Sequence, residues 1–323
     1  MTAEQFLQID LPALAAALFA SLSCALVGSF LVLRRQSLLG DAISHAVLPG
    51  IVMGFVLSGT RSSLPILAGA LAAALVAGGL IEAVRRLGRI EPGAAMGVVF
   101  TSMFALGVVM IEQAAARSVD LDADCVLYGQ LEDVLWLAPT GWASLLDPAV
   151  WAELPPEVST LAGVFAFVSA AVLAFYKELR ITSFDPGLAT TLGIPAGLFH
   201  FGLVGLAAVV AIASFEAVGS ILVVALLVCP AAAARLLTDR LSAQLWVSML
   251  LAAAAAIGGY AAAAFGPLWL GGGESLNAAG MIAVAAGLLL GLAVLLGPRH
   301  GILGRRIARR AASARAPQPE IAA

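Results

Sequence analysis

SLLGDAISHAVLPG, residues Ser37 to Gly50, places a carboxylate and an imidazole four residues apart inside an otherwise apolar run. Residues four apart share one face of a helix, so Asp41 and His45 can address the same point. Pro49 follows His45 by four residues and has no amide hydrogen, so a helix that ran on would leave the His45 carbonyl without its usual donor. Ionisable groups at membrane depth are costly and usually mark an ion or substrate path. The plainer alternative is a first-turn Asp near the membrane boundary, with His45 hydrogen-bonded in a helical core.

The rest of the chain decides for the membrane. It is 61% hydrophobic and 11% charged, with a mean hydropathy of +1.02, outside the range of soluble domains. Apolar runs of about 20 residues, enough to cross the hydrocarbon core, recur along it. Nine spans are predicted, over 12–33, 38–58, 64–84, 93–111, 159–176, 197–215, 217–236, 243–265 and 276–297. The expected fold is an all-α integral membrane protein of about nine transmembrane helices, eight being the alternative. Fifteen of the 17 Lys and Arg residues then fall on one side, leaving Arg61 and Arg117 on the other. By the positive-inside rule the rich side is cytoplasmic, which puts the N-terminus outside and the C-terminus inside. An odd number of crossings follows, and nine fits.

Several function classes drop out. Cys24, Cys125 and Cys229 form no CxxC pair and no metal-ligand spacing. Cys229-Pro230 resembles the Cys-Pro of heavy-metal ATPase pumps, but the chain has neither a phosphorylation DKTGT nor a Walker motif. No basic n-region precedes the first apolar run near Leu11, so no cleavable signal is expected.

Two loops stand out. The outer one, residues 112–157, carries nine acids against Arg117 alone, a negative field that would draw in cations or meet a partner protein. Its DLDADCVLYGQLED resembles the start of an EF-hand, but Cys125 stands where Gly is needed and Leu131 where Glu is needed. The inner loop, 177–195, contains Asp185-Pro186, an N-cap followed by Pro at the first helical position. A short amphipathic helix over Gly187–Leu192 is predicted, with Gly193 as its stop. Taken alone, that helix could simply lie on the membrane surface. Glu216 falls at an outer turn between two spans, and the small residues Ala217, Gly219, Ser220 and Ala231 to Ala234 suit close helix packing. His200 and His300 sit near span ends, where capping or interfacial roles are expected. The division is a permease region over 1–297 and a basic, disordered cytoplasmic tail over 298–323 against anionic lipid.

LRRQSLLGDAISHAVLPG (Leu33–Gly50) resembles the signature of the membrane permeases of bacterial ABC importers for manganese, zinc or iron. The likeness extends to GVVFTSMFALGVV (Gly97–Val109), DLDADCVLYG (Asp120–Gly129), YKELRITSFDPGLATTLGI (Tyr176–Ile194) and SFEAVGSILVVALLVCPAAAARLLTDR (Ser214–Arg240). It covers about residues 12–297, and Cys229 stands where a small or aliphatic residue is expected. The resemblance implies that Asp41 and His45 line the translocation path. It also implies that Ser183, Phe184, Asp185, Pro186, Gly187, Leu188, Ala189, Leu192 and Gly193 form a coupling helix docked on a separate cytoplasmic ATPase subunit. An extracellular or periplasmic metal-binding protein would deliver the ion, and a second permease subunit, identical or different, would complete the path in the bacterial plasma membrane. The chain is then a transport subunit and no enzyme. No tightly bound cofactor and no nucleic-acid partner is expected, only the transported manganese, zinc or iron and membrane lipid.

The donor chemistry agrees with that resemblance, since imidazole nitrogen with carboxylate oxygen suits borderline divalent ions. One chain offers two such ligands and a two-fold dimer four, an incomplete site from which an ion can leave. A rival is a proton-coupled secondary transporter with Asp41 and His45 as a relay, and a third reading is a structural or signalling membrane protein. A carrier would not need the Asp185-Pro186 helix and would tend to show internal repeats. The residues choose neither the metal nor the direction of transport.

Overall fold

The computed structural model describes residues 2–58, 63–115, 129, 131–269, 276–297 and 301–302, and among them it is helical with no strand. Among the described residues, eight helices are long and apolar enough to cross a membrane: Phe6–Leu33, Leu67–Gly88, Pro92–Gln113, Pro156–Ala174, Ala196–Phe215, Ala217–Leu237, Leu241–Pro267 and Ala278–Leu296. They fall on eight of the nine expected spans.

The second expected span, 38–58, is not one helix. It is α2 (Leu38–Ala46) and α3 (Leu48–Ser58), following α1 (Leu11–Leu33) and meeting at Val47. Pro49 explains the break: it cannot supply the amide that would carry the ladder past His45. The Val47 amide keeps the ordinary four-residue bond to the Ile43 carbonyl at 3.1 Å, and the Ile51 amide donates to the Val47 carbonyl at 3.0 Å. The interruption is thus confined to the His45 carbonyl, which proline cannot serve. Beyond the broken pair come α4 (Ser63–Gly88), α5 (Pro92–Ala115) and α6 (Pro156–Ala174). Two short helices, α7 (Tyr176–Phe184) and α8 (Pro186–Thr191), lead into α9 (Ala196–Leu237), α10 (Leu241–Trp269) and α11 (Ala278–Leu296).

At 1.5 Å per residue, a straight α9 would be about 60 Å long, twice a hydrocarbon core. It folds back instead. Gly219 has φ 76° and ψ 163°, a conformation that a side chain would strain. The foot of the first arm, Ala196 and Gly197, lines a cleft with Arg34, Arg85 and Ser183. Just past the second arm, Arg240 and Leu241 line a cleft with Arg180 and Asp185. Both feet therefore stand at the same, basic end, and the expected turn near Glu216 is a hairpin apex.

Helix α1 lies in the middle, with Ala16, Ala17, Ala20, Cys24, Val27 and Phe30 fully buried. Between helices in lipid there is no hydrophobic drive, so packing relies on close approach of small residues. A Cβ on Gly28 would lie 1.9 Å from the Leu227 carbonyl oxygen of α9, so the two backbones touch. On the outside, Leu80, Val98, Leu250 and Leu288 are exposed, as lipid-facing positions must be.

At the opposite end, the described part of the acidic loop packs back on the bundle. Trp136 donates its amide to the Gln8 carbonyl at 2.9 Å, and Glu132 accepts from the Ala278 amide at 3.0 Å. The Tyr260 hydroxyl donates to the buried Asp10 carboxylate at 3.0 Å. Most of the EF-hand-like stretch, and the tail from Leu303, lie outside the described residues.

Candidate functional site

His45 sits at the end of α2, half-buried, just before the Val47 break. Its ring lies 5.1 Å from Phe100 and 5.4 Å, edge-on, from Phe104 of α5. The flanking Ala42, Ile43, Ala46 and Val47 are buried. The imidazole thus packs against two aromatic rings of α5. Asp41 lies one turn earlier on the same helix, the spacing that shares a face; its side chain is outside the described residues.

The break is fixed from the side. A Cβ on Gly50 would be 2.3 Å from the Gly69 carbonyl oxygen, so α3 lies directly on α4. Next to it, Met53, Met103, Met110 and Leu106 line a cleft of about 640 Å³ between α3, α4 and α5. Phe100 and Phe104 were not predicted from the sequence. Their only signal was the four-residue spacing within GVVFTSMFALGVV, which by itself marks any packed helix face. Among the described residues, no three His, Cys, Asp or Glu side chains come close enough to hold a metal ion.

At the basic end, α8 starts and stops where the sequence predicts. Asp185 is extended and its carboxylate accepts from the Leu188 amide at 2.9 Å, with Pro186 at the first helical position. At the other end, the Gly193 amide donates to Thr190 O at 3.1 Å and the Ile194 amide to Ala189 O at 2.9 Å, the paired bonds of a Schellman stop. Ala189 is buried, whereas Phe184, Leu188 and Leu192 are each at least half exposed. These three bare apolar side chains stand beside charged ones at the basic end.

The segment is also tied to the bundle. Arg34, at the end of α1, donates from Nε to the Ser183 hydroxyl at 3.0 Å and from Nη2 to the Thr182 hydroxyl at 2.9 Å. Burial pushes its guanidinium down to about 10, because the charged form loses water without gaining a carboxylate. Since Asp185 to alanine removes the cap and no core contact, it should cost about 1 kcal/mol, mostly in α8. Faster amide exchange over 186–192 in hydrogen-exchange mass spectrometry, with the bundle unchanged, would record that loss.

The chain matches the ABC 3 transport family over residues 6–136 and 154–295. It is 37% identical over 295 residues to the manganese transport system membrane protein MntD of Bacillus subtilis, covering 91% of this chain and 94% of that one. It is 39% identical to the zinc transport system membrane protein TroD of Treponema pallidum, covering 91% and 76%. Among solved structures it is similar to PsaBC from Streptococcus pneumoniae in complex with Fab, with a TM-score of 0.70 and 28% identity over 91% of this chain and 94% of that chain.

Proposed function

The chain belongs to the ABC 3 transport family, and from that premise we propose that it imports manganese or zinc across the bacterial plasma membrane as the permease subunit of an ATP-driven system. The observation that carries this reading is the length and level of the match to named manganese and zinc transport system membrane proteins. His45 and Asp41 supply the side chains an ion would meet on its way, from a helix broken at Val47. Two ligands per chain make an incomplete shell for a divalent transition metal. A second permease subunit, as the paired name PsaBC suggests for that relative, would complete it.

A separate ATPase subunit docks on Phe184, Leu188 and Leu192, and α8 carries its movement into the bundle. Arg34 joins α7 to the end of α1, and α2 with the ion ligands follows three residues after Arg35, so push and path are close in the chain. The acidic face receives the metal-binding protein that delivers the ion. A proton-coupled carrier is disfavoured, because the docking surface would then serve nothing.

The test is uptake of radioactive manganese and zinc by vesicles that hold this chain with its ATPase and second permease subunit. ATP-dependent uptake that survives collapse of the proton gradient is expected. Uptake driven by the gradient without ATP would sink the proposal. Leu188 to glutamate probes the docking surface separately. Leu188 is 50% exposed, so the folded permease should persist while ATPase co-purification falls by about tenfold or more, the penalty of burying an unpaired charge.

A further inference from the structure

We propose that the cleft between the ends of α1, α4 and α9, closed on one side by Thr182, Ser183 and Pro186 of the α7–α8 segment, binds the headgroup of an anionic phospholipid. Its volume is about 420 Å³, and Arg34, Arg35, Arg85 and Arg86 line it with a single carboxylate, Glu82. Glu82 accepts from Arg85 Nη2 at 2.7 Å and from Arg86 Nε through the same oxygen. One carboxylate neutralises one of four guanidiniums, so the cleft keeps a net charge of about +3, a charge that favours a phosphate group.

Two further observations support a bound phosphate group, and the second points to lipid over a solute. Gln36 also lines the cleft, and its Oε1 is buried with no hydrogen-bond partner. A buried amide atom without a protein partner is completed by an ordered water or by a ligand group. Because amide oxygen and nitrogen are interchangeable in assignment, this end can accept from a glycerol hydroxyl or donate to a phosphate oxygen. The second is position. The cleft sits at the foot of α4 and α9, where exposed Phe201 lines it and exposed Leu198 begins α9. Acyl chains can lie against those side chains while the phosphate enters sideways among the arginines, at the depth where headgroups sit. The headgroup would bridge α1, α4 and α9 from outside.

The experiment uses the assembled complex with its ATPase subunit, delipidated in mild detergent and titrated with phosphatidylglycerol or phosphatidylcholine while bound lipid is counted by native mass spectrometry. Wild type should retain phosphatidylglycerol over phosphatidylcholine, and the double variant Arg85→Gln/Arg86→Gln should lose about tenfold or more of that retention. Glu82→Gln, which adds a net positive charge without removing an arginine, should hold the lipid at least as well. It keeps the test decisive if the double variant does not assemble, because weaker retention would overturn the site. Equal retention of the two lipids, or an unchanged double variant, would also overturn it. Displacement of the lipid by millimolar inorganic phosphate would assign the cleft to a soluble anion. Loss of the ATPase subunit from the double variant, with lipid retention intact, would assign it to protein docking.

Discussion

Alanine at His45 is expected to reduce ATP-dependent manganese or zinc uptake by about a hundredfold or more, since even supporting groups around a metal carry factors of 10 to 100. The ring contributes packing as well, between Phe100 and Phe104 at 5.1 and 5.4 Å, and the experiment must separate the two roles. His45 to leucine restores volume without a donor atom, whereas His45 to glutamine keeps a polar end of similar reach. If the imidazole meets the ion, alanine and leucine should both be inactive in vesicle uptake while the complex purifies intact. If it only fills space, leucine should restore uptake, and the path would have to be sought elsewhere. Asp41 to alanine should match the loss at His45.

The second large effect is on folding. Alanine at Gly28 would raise helix propensity by about 1 kcal/mol, so propensity alone predicts a more stable α1. Packing decides against it. The added Cβ would fall 1.9 Å from the Leu227 carbonyl oxygen and 2.8 Å from its carbonyl carbon. These are backbone atoms of α9, and they cannot rotate away as a side chain could. Forcing such helices apart costs about 3 kcal/mol or more, a large part of the roughly 5–15 kcal/mol that holds a typical protein folded. Gly28 to alanine should therefore lower the yield of monodisperse protein and its melting temperature, read by fluorescence-detected size exclusion. Glycine at 79, where an added Cβ meets nothing within 4 Å, is the control, and alanine there should be neutral or slightly stabilising.

What could be read in the sequence follows the range of the interactions. Hydrophobic length located the spans because lipid imposes that length on each helix separately. Asp185, Pro186 and Gly193 announced α8 because caps act within a few residues. Pro49 warned of a missing donor, but only the structure shows that the chain answers by dividing 38–58 at Val47. The contacts of Phe100 and Phe104 with His45, or of Arg34 with Thr182 and Ser183, could not be read. They join residues 55 to 149 positions apart, and no local pattern encodes such a meeting. The arginine count fixed which end is basic, but not that four of those charges converge on one cleft with a single carboxylate.

The hairpin of α9 has a mechanical consequence. Its two feet flank the short helices α7 and α8, and its apex is pressed against the loop of the opposite face, where a Cβ on Gly129 would lie 2.4 Å from the Gly219 nitrogen. The two arms thus form a tuning fork that crosses the whole bundle and is held at its bend. A displacement at the basic end reaches both prongs, and Gly219, the non-helical residue between them, lies directly beneath the acidic face. The two faces of the molecule are in this way joined by one continuous stretch of chain.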